Sequence, residues 1–123
     1  MQHAPGFLAV VEDAKSRVRE VTVAETQARL AANTAAVLVD VREDLEWQAG
    51  HAAGAVHIGK GVIERDIETK IPDKSAEVIL YCGGGFRSAL SADMLQRMGY
   101  TNVTSMAGGW RAWNDAKAPV AQG

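Results

Sequence analysis

Glu77-Val-Ile-Leu-Tyr-Cys-Gly-Gly-Gly-Phe-Arg-Ser88 is the stretch on which the fold turns. Its first half is apolar at every position after Glu77, the pattern of a strand covered on both faces in a parallel sheet. Its second half breaks into three consecutive glycines and then enters a helix-compatible run over 87–98. There Leu90, Met94 and Met98 fall in line, and Gly99 supplies the C-terminal stop. A buried strand, a tight loop and a helix form the repeating unit of an α/β sheet, and ligands in such sheets bind beyond the carboxyl ends of the strands. Cys82 occupies that position.

The same alternation extends in both directions. Residues 7–17 are helix-compatible, and 18–21 suit a short strand. Thr22-Val-Ala-Glu25 is a capping box opening a helix to about residue 32. Ala36-Val-Leu-Val-Asp-Val41 is a second buried strand with a polar end, followed by a short helix over 43–49 that Gly50 stops. A brief strand over 55–58, a helix over 62–70 ended by Pro72, a strand over 102–106 and a helix over 109–116 complete the pattern. Five strands with intervening helices predict one α/β/α three-layer sandwich. Residues 1–17 read as an N-terminal helical extension, 18–116 as the domain and 117–123 as a tail; 1–6 and 117–123 carry the Pro and Gly of loose ends.

Composition narrows the function. The chain has 123 residues and a net charge of −2, from thirteen Lys and Arg against fifteen Asp and Glu. One domain is expected, and the absence of a cationic excess argues against nucleic-acid binding. No apolar run approaches the roughly 20 residues that span a bilayer, and 7–11 is too short for a signal-peptide core, so a cytoplasmic protein with no membrane partner is expected. One cysteine makes no internal disulfide, dithiol couple or cysteine zinc cage, and His3, His51 and His57 lack the i, i+4 spacing of a helical metal pair. Neither metal nor organic cofactor is expected.

Cys82 therefore works alone or with another molecule. The amides of Gly83, Gly84 and Gly85 have no Cβ to block their approach to one point. The helix start near Arg87 adds free N–H groups and a positive dipole end. Such surroundings favour a thiolate. An inert buried cysteine before a turn is the competing reading, but a turn needs one glycine, not three.

Cys82-Gly-Gly-Gly-Phe-Arg-Ser88 resembles the active-site loop of the rhodanese (sulfurtransferase) family. Leu38-Val-Asp-Val-Arg-Glu43, Glu46 and Gly50-His-Ala-Ala-Gly-Ala-Val-His-Ile58 match the same family, as do Gly99-Tyr100, Val103 and Ala107-Gly-Gly-Trp-Arg-Ala-Trp113. The resemblance runs from about residue 18 to 113 and implies a single-domain member. Its implied fold is a five-stranded parallel sheet, ordered 3-2-4-5-1 with strands numbered along the chain. The related cell-cycle phosphatases have five residues between Cys and Arg, whereas Cys82 and Arg87 have four between them, and a smaller ring fits one added sulfur better than a phosphoryl group. Arsenate reduction in this fold class uses further thiols that this chain lacks.

The expected activity is transfer of sulfane sulfur from thiosulfate or a low-molecular-weight persulfide to a thiol or cyanide acceptor, through a persulfide on Cys82. The alternative is a non-catalytic sulfur carrier that hands persulfide sulfur to a partner protein. Gly83 to Ser88 are the expected substrate-binding residues, with Phe86 at the pocket mouth shielding the persulfide or touching the acceptor. Ser88 either donates to the sulfur or serves the helix start. Arg87 either meets the donor's anionic group or, as favoured here, turns inward to Asp40 or Glu46. Asp40 and Arg42 are supporting residues, Arg42 more readily an ion-pair partner than a guide for anions. His51 and His57 are expected in polar roles within their turn. Lys60, Arg65 and Arg111 are expected as solvated charge, and Trp47, Trp110 and Trp113 as core or lid packing.

Overall fold

A computed structural model describes residues 3–123. The strands β1 (Arg19–Val21), β2 (Val37–Asp40), β4 (Val56–His57), β5 (Val78–Tyr81) and β6 (Val103–Met106) form one sheet in the order β1-β6-β5-β2-β4. Every neighbouring pair is parallel. This is the order expected from the resemblance. The two apolar runs, β2 and β5, lie side by side in the middle, with Val39 opposite Leu80 and Asp40 opposite Tyr81.

Alternation along β5 sorts the core into two faces. Val78, Leu80 and Cys82 face one layer, with Ile63 and Ile67 of α4 (Ile63–Lys70) and Ala92 and Leu95 of α5 (Phe86–Arg97). Ile79 and Tyr81 face the other, with Val23 of α2 (Val23–Ala32) and Trp113 of α6 (Gly109–Asp115). The short α3 (Asp44–Ala49) leads from β2 toward the sheet edge. Thr22 and Glu25 make both bonds of the expected capping box, at 3.0 and 2.8 Å.

Two regions differ from the expectation of loose ends. Helix α1 (Pro5–Lys15) begins inside the segment 1–6, with Pro5 at its first turn, where a missing N–H costs nothing. The part of that expectation concerning residues 1–2 lies outside the described residues. Helix α1 buries Val11 and Ala14 and packs along α5. Arg17 then clamps the junction, bonding Asp93 at 2.9 and 2.8 Å. At the other end, β7 (Val120–Ala121) pairs antiparallel with β3 (His51–Ala52), giving a two-stranded sheet that the sequence reading did not anticipate. The Pro119 carbonyl anchors that segment by accepting from Ala53 N at 2.9 Å and Trp113 Nε1 at 2.8 Å. No helix among the described residues is long and apolar enough to cross a membrane.

Candidate active site

Strand β5 ends at Tyr81, and Cys82 follows at the carboxyl edge of the sheet. Two main-chain groups donate to its sulfur: the N–H of Gly85 at 3.1 Å and that of Ser88 at 3.3 Å. The amides of Gly83, Gly84, Phe86 and Arg87 have no protein acceptor among the described residues. Of the three glycine amides only that of Gly85 donates to Sγ, and the second donor, Ser88, comes from the helix start.

The glycines of the loop differ in what they do. Gly85 alone of the three holds a left-handed backbone, φ +100°, and a Cβ there would stand 3.2 Å from the Gly108 nitrogen. A Cβ on Gly83 would stand 3.0 Å from the Arg87 guanidinium, whereas one on Gly84 would meet nothing within 4 Å. The start of α6 braces the loop from outside. Trp110 N–H donates to the Cys82 carbonyl at 2.7 Å and Arg111 N–H to that of Gly83 at 3.2 Å. Gly109 lies so close to the Cys82 carbonyl that any Cβ would overlap it, and its φ is +51°.

Ser88 is wholly buried, with Oγ 3.5 Å from Sγ and 2.8 Å from Ser105 Oγ. It therefore serves the sulfur through its amide and the sheet through its hydroxyl. Ser105 was not singled out from the sequence; the available signal was two adjacent polar residues, Thr104 and Ser105, in the covered strand β6.

Arg87 turns to Glu46, with Nη1 and Nη2 donating to the two carboxylate oxygens at 2.8 and 3.2 Å. This pairing, set against burial, raises the guanidinium further above its ordinary range and holds the Glu46 carboxyl below the usual carboxylate range. Asp40 is not available to Arg87. It is fully buried and accepts from Arg42 Nη2 at 2.8 Å, from the Arg42 amide at 2.8 Å and from Tyr81 Oη at 2.6 Å. Arg42 is 3% exposed and also donates to the Gly50 carbonyl at 2.6 Å, so it locks the sheet edge and cannot guide a solute.

The other candidates scatter. His51 stacks on Trp47 with ring centroids 3.4 Å apart, and His57 lies at 5.0 Å from the same indole. His57 Nε2 contacts the Arg42 carbonyl at 2.8 Å. Trp113 is core, while the half-buried Trp110 lies against Arg42 at 4.6 Å. Lys60, Arg65 and Arg111 are exposed, Arg65 paired with Asp66 at 2.7 Å.

Cys82 is 1% exposed, yet it lines a cavity of about 420 Å³ together with His3, Phe7, Gly84, Phe86 and Arg87. Two of these come from the N-terminal segment. The rings of His3 and Phe7 lie 4.8 and 6.2 Å from that of Phe86, and Lys15 Nζ lies 5.0 Å from the Phe86 centroid. The sequence signal was the spacing of 7, 11 and 14, which sets Phe7 in register with the buried Val11 and Ala14; His3 precedes the helix and carried none.

Sheet order, loop and bracing helix define an α/β protein organised around one cysteine. The family model described as Rhodanese-like domain matches residues 22–116. Thiosulfate sulfurtransferase PspE of Escherichia coli (strain K12) is 36% identical over 70 residues, covering 57% of this chain and 67% of the relative. Thiosulfate sulfurtransferase GlpE of Haemophilus influenzae (strain PittEE) is 33% identical over 85 residues, covering 69% and 79%. Among solved structures, a Rhodopseudomonas palustris CGA009 protein of unknown function, described as a possible tyrosine phosphatase, superposes with a TM-score of 0.82 at 28% identity over 98% of both chains. The chain belongs to the rhodanese-like domain family, and its relatives include sulfurtransferases.

Proposed function

We propose that this protein moves sulfane sulfur from thiosulfate or a low-molecular-weight persulfide to a thiophilic acceptor, with Cys82 carrying the sulfur between them. The observation that carries this reading is the pair of main-chain N–H groups, Gly85 and Ser88, aimed at one buried sulfur. Fixed dipoles of this kind stabilise a negative sulfur without reorganising when it gains a second one.

In the first half-reaction the Cys82 thiolate attacks the outer sulfur of thiosulfate. The bond from that sulfur to the sulfonyl group breaks, sulfite leaves with the electron pair, and Cys82 holds a persulfide anion. The loop amides without a protein acceptor are suited to the outer sulfur. In the second half-reaction an acceptor such as cyanide attacks that outer sulfur, the S–S bond breaks, and thiocyanate departs as Cys82 returns to the thiolate.

Arg87 supports sulfur rather than phosphoryl transfer. Its guanidinium is already engaged by both Glu46 oxygens, so little of its charge is free for a three-oxygen equatorial plane. The deciding measurement is mass spectrometry of the intact protein after thiosulfate. Gain of one sulfur on wild type, its loss on adding cyanide, and no gain in Cys82→Ala are the expected results. Hydrolysis of an aryl phosphate without sulfur uptake would overturn the proposal.

A further inference from the structure

The N-terminal segment supplies part of the cavity over Cys82, and the wall it adds is aromatic, suited to an organic group beyond the reacting sulfur. Three rings, His3, Phe7 and Phe86, make up half of the lining residues, and the one Lys or Arg among them, Arg87, is engaged by Glu46. A volume of about 420 Å³ falls within the roughly 300–1,000 Å³ of sites that enclose small organic molecules. The wall is also held in place. Val11 and Ala14 each retain 2% exposure, Arg17 bonds Asp93 of α5, and Gln96 Nε2 donates to the Arg17 carbonyl at 2.9 Å. Since α5 begins at Phe86, immediately after the cysteine loop, this docking fixes His3 and Phe7 relative to the sulfur.

We propose that His3 and Phe7, together with Phe86, seat the organic substituent of a low-molecular-weight thiol acceptor and thereby set which thiols discharge Cys82. The proposal rests on the sulfur-transfer reading and names the acceptor class for that site. The acceptor thiolate attacks the outer sulfur of the Cys82 persulfide, and the S–S bond breaks. Cys82 leaves as thiolate with the bonding pair, and the outer sulfur departs as the anionic end of the new organic persulfide. The reverse of this step loads Cys82 from an organic persulfide, so one seat serves both directions.

The test uses the full chain loaded with thiosulfate and freed of donor. Discharge is followed as loss of the extra sulfur from Cys82, with cyanide, ethanethiol and 2-phenylethanethiol as acceptors. The two thiols are close in acidity, so intrinsic nucleophilicity is held nearly constant and the ring is the variable. Wild type is expected to discharge about tenfold faster to 2-phenylethanethiol than to ethanethiol, the factor produced by about 1.4 kcal/mol of ring burial. Phe7→Ala and His3→Ala should each shrink that ratio, and Phe7→Leu should retain part of it. His3 precedes α1, so His3→Ala leaves the helix intact and keeps the test open if Phe7→Ala loosens it. A wild-type ratio near one, or a ratio unchanged in the variants, overturns the proposal while leaving sulfur transfer standing. Failure of wild type to take up sulfur overturns the sulfur-transfer reading itself.

Discussion

Gly85 holds φ at +100° while its N–H donates to the Cys82 sulfur, so a single residue sets both the turn and half of the observed sulfur cradle. An L side chain in that conformation costs about 1–3 kcal/mol, and here its Cβ would also press on the Gly108 nitrogen. Gly85→Ala should therefore lower the urea midpoint and slow sulfur loading, whereas Gly84→Ala, with open space around it, should leave the midpoint close to wild type. Glu46 supplies a pH signature. Its carboxyl is held below the ordinary carboxylate range, chiefly by the Arg87 hydrogen bonds. A depressed carboxyl contributes its pairing above the ordinary range and loses it as the pH falls through the lowered value. The ratio of loading rates, wild type over Glu46→Gln, should be greatest near neutral pH. It should approach one in acid, where protonated Glu46 resembles Gln.

At the scale of elements, the cysteine loop is held between helices α5 and α6. Helix α5 presents the Ser88 amide from its first turn, and α6 donates Trp110 and Arg111 amides to the loop's carbonyls. Gly109 is the point of closest approach, with no room for a Cβ beside the Cys82 carbonyl. Gly109→Ala must both adopt a left-handed backbone, at about 1–3 kcal/mol, and push α6 away from the loop. A clear loss of stability in urea denaturation is expected, with sulfur loading falling by more than in variants elsewhere on α6. Loading that matches wild type in a folded Gly109→Ala would show that α6 does not brace the site. Ser105 has a quieter part in β6. Its hydroxyl pairs with that of Ser88, and Ser105→Ala leaves the buried Ser88 hydroxyl with only its longer contact to the Cys82 sulfur, at a cost of about 0.5–1.5 kcal/mol.

Across the whole molecule, stability should depend on pH in a defined sense. Asp13 and Asp93 are lowered chiefly by hydrogen bonds from Arg17, Asp66 by Arg65, Glu25 by Thr22 and Asp73 by Ser75. The unfolded chain thus binds protons first as the pH drops, so stability declines through and below the ordinary carboxylate range. Most of these groups are exposed, and added salt should flatten the decline. On the alkaline side, burial raises Tyr81 and Tyr100, so stability should hold up to the ordinary phenol range and fall above it as the unfolded tyrosines ionise. The urea midpoint measured across pH, with and without salt, checks both limbs.

What the sequence by itself determined was the frame: two apolar runs that become β2 and β5, a capping box at α2, and a glycine-rich loop after the central strand. Each of these is written in neighbouring residues, because strand burial, helix capping and turn chemistry are decided within a few positions. Only the tertiary structure decided that Arg87 meets Glu46 while Asp40 is held by Arg42 and Tyr81, that Ser88 finds Ser105, and that His3 and Phe7 lie over the cysteine. It also paired β3 with β7, two short segments far apart along the chain. These contacts depend on which surfaces come to face each other once helices dock on the sheet, and no local window of residues carries that information.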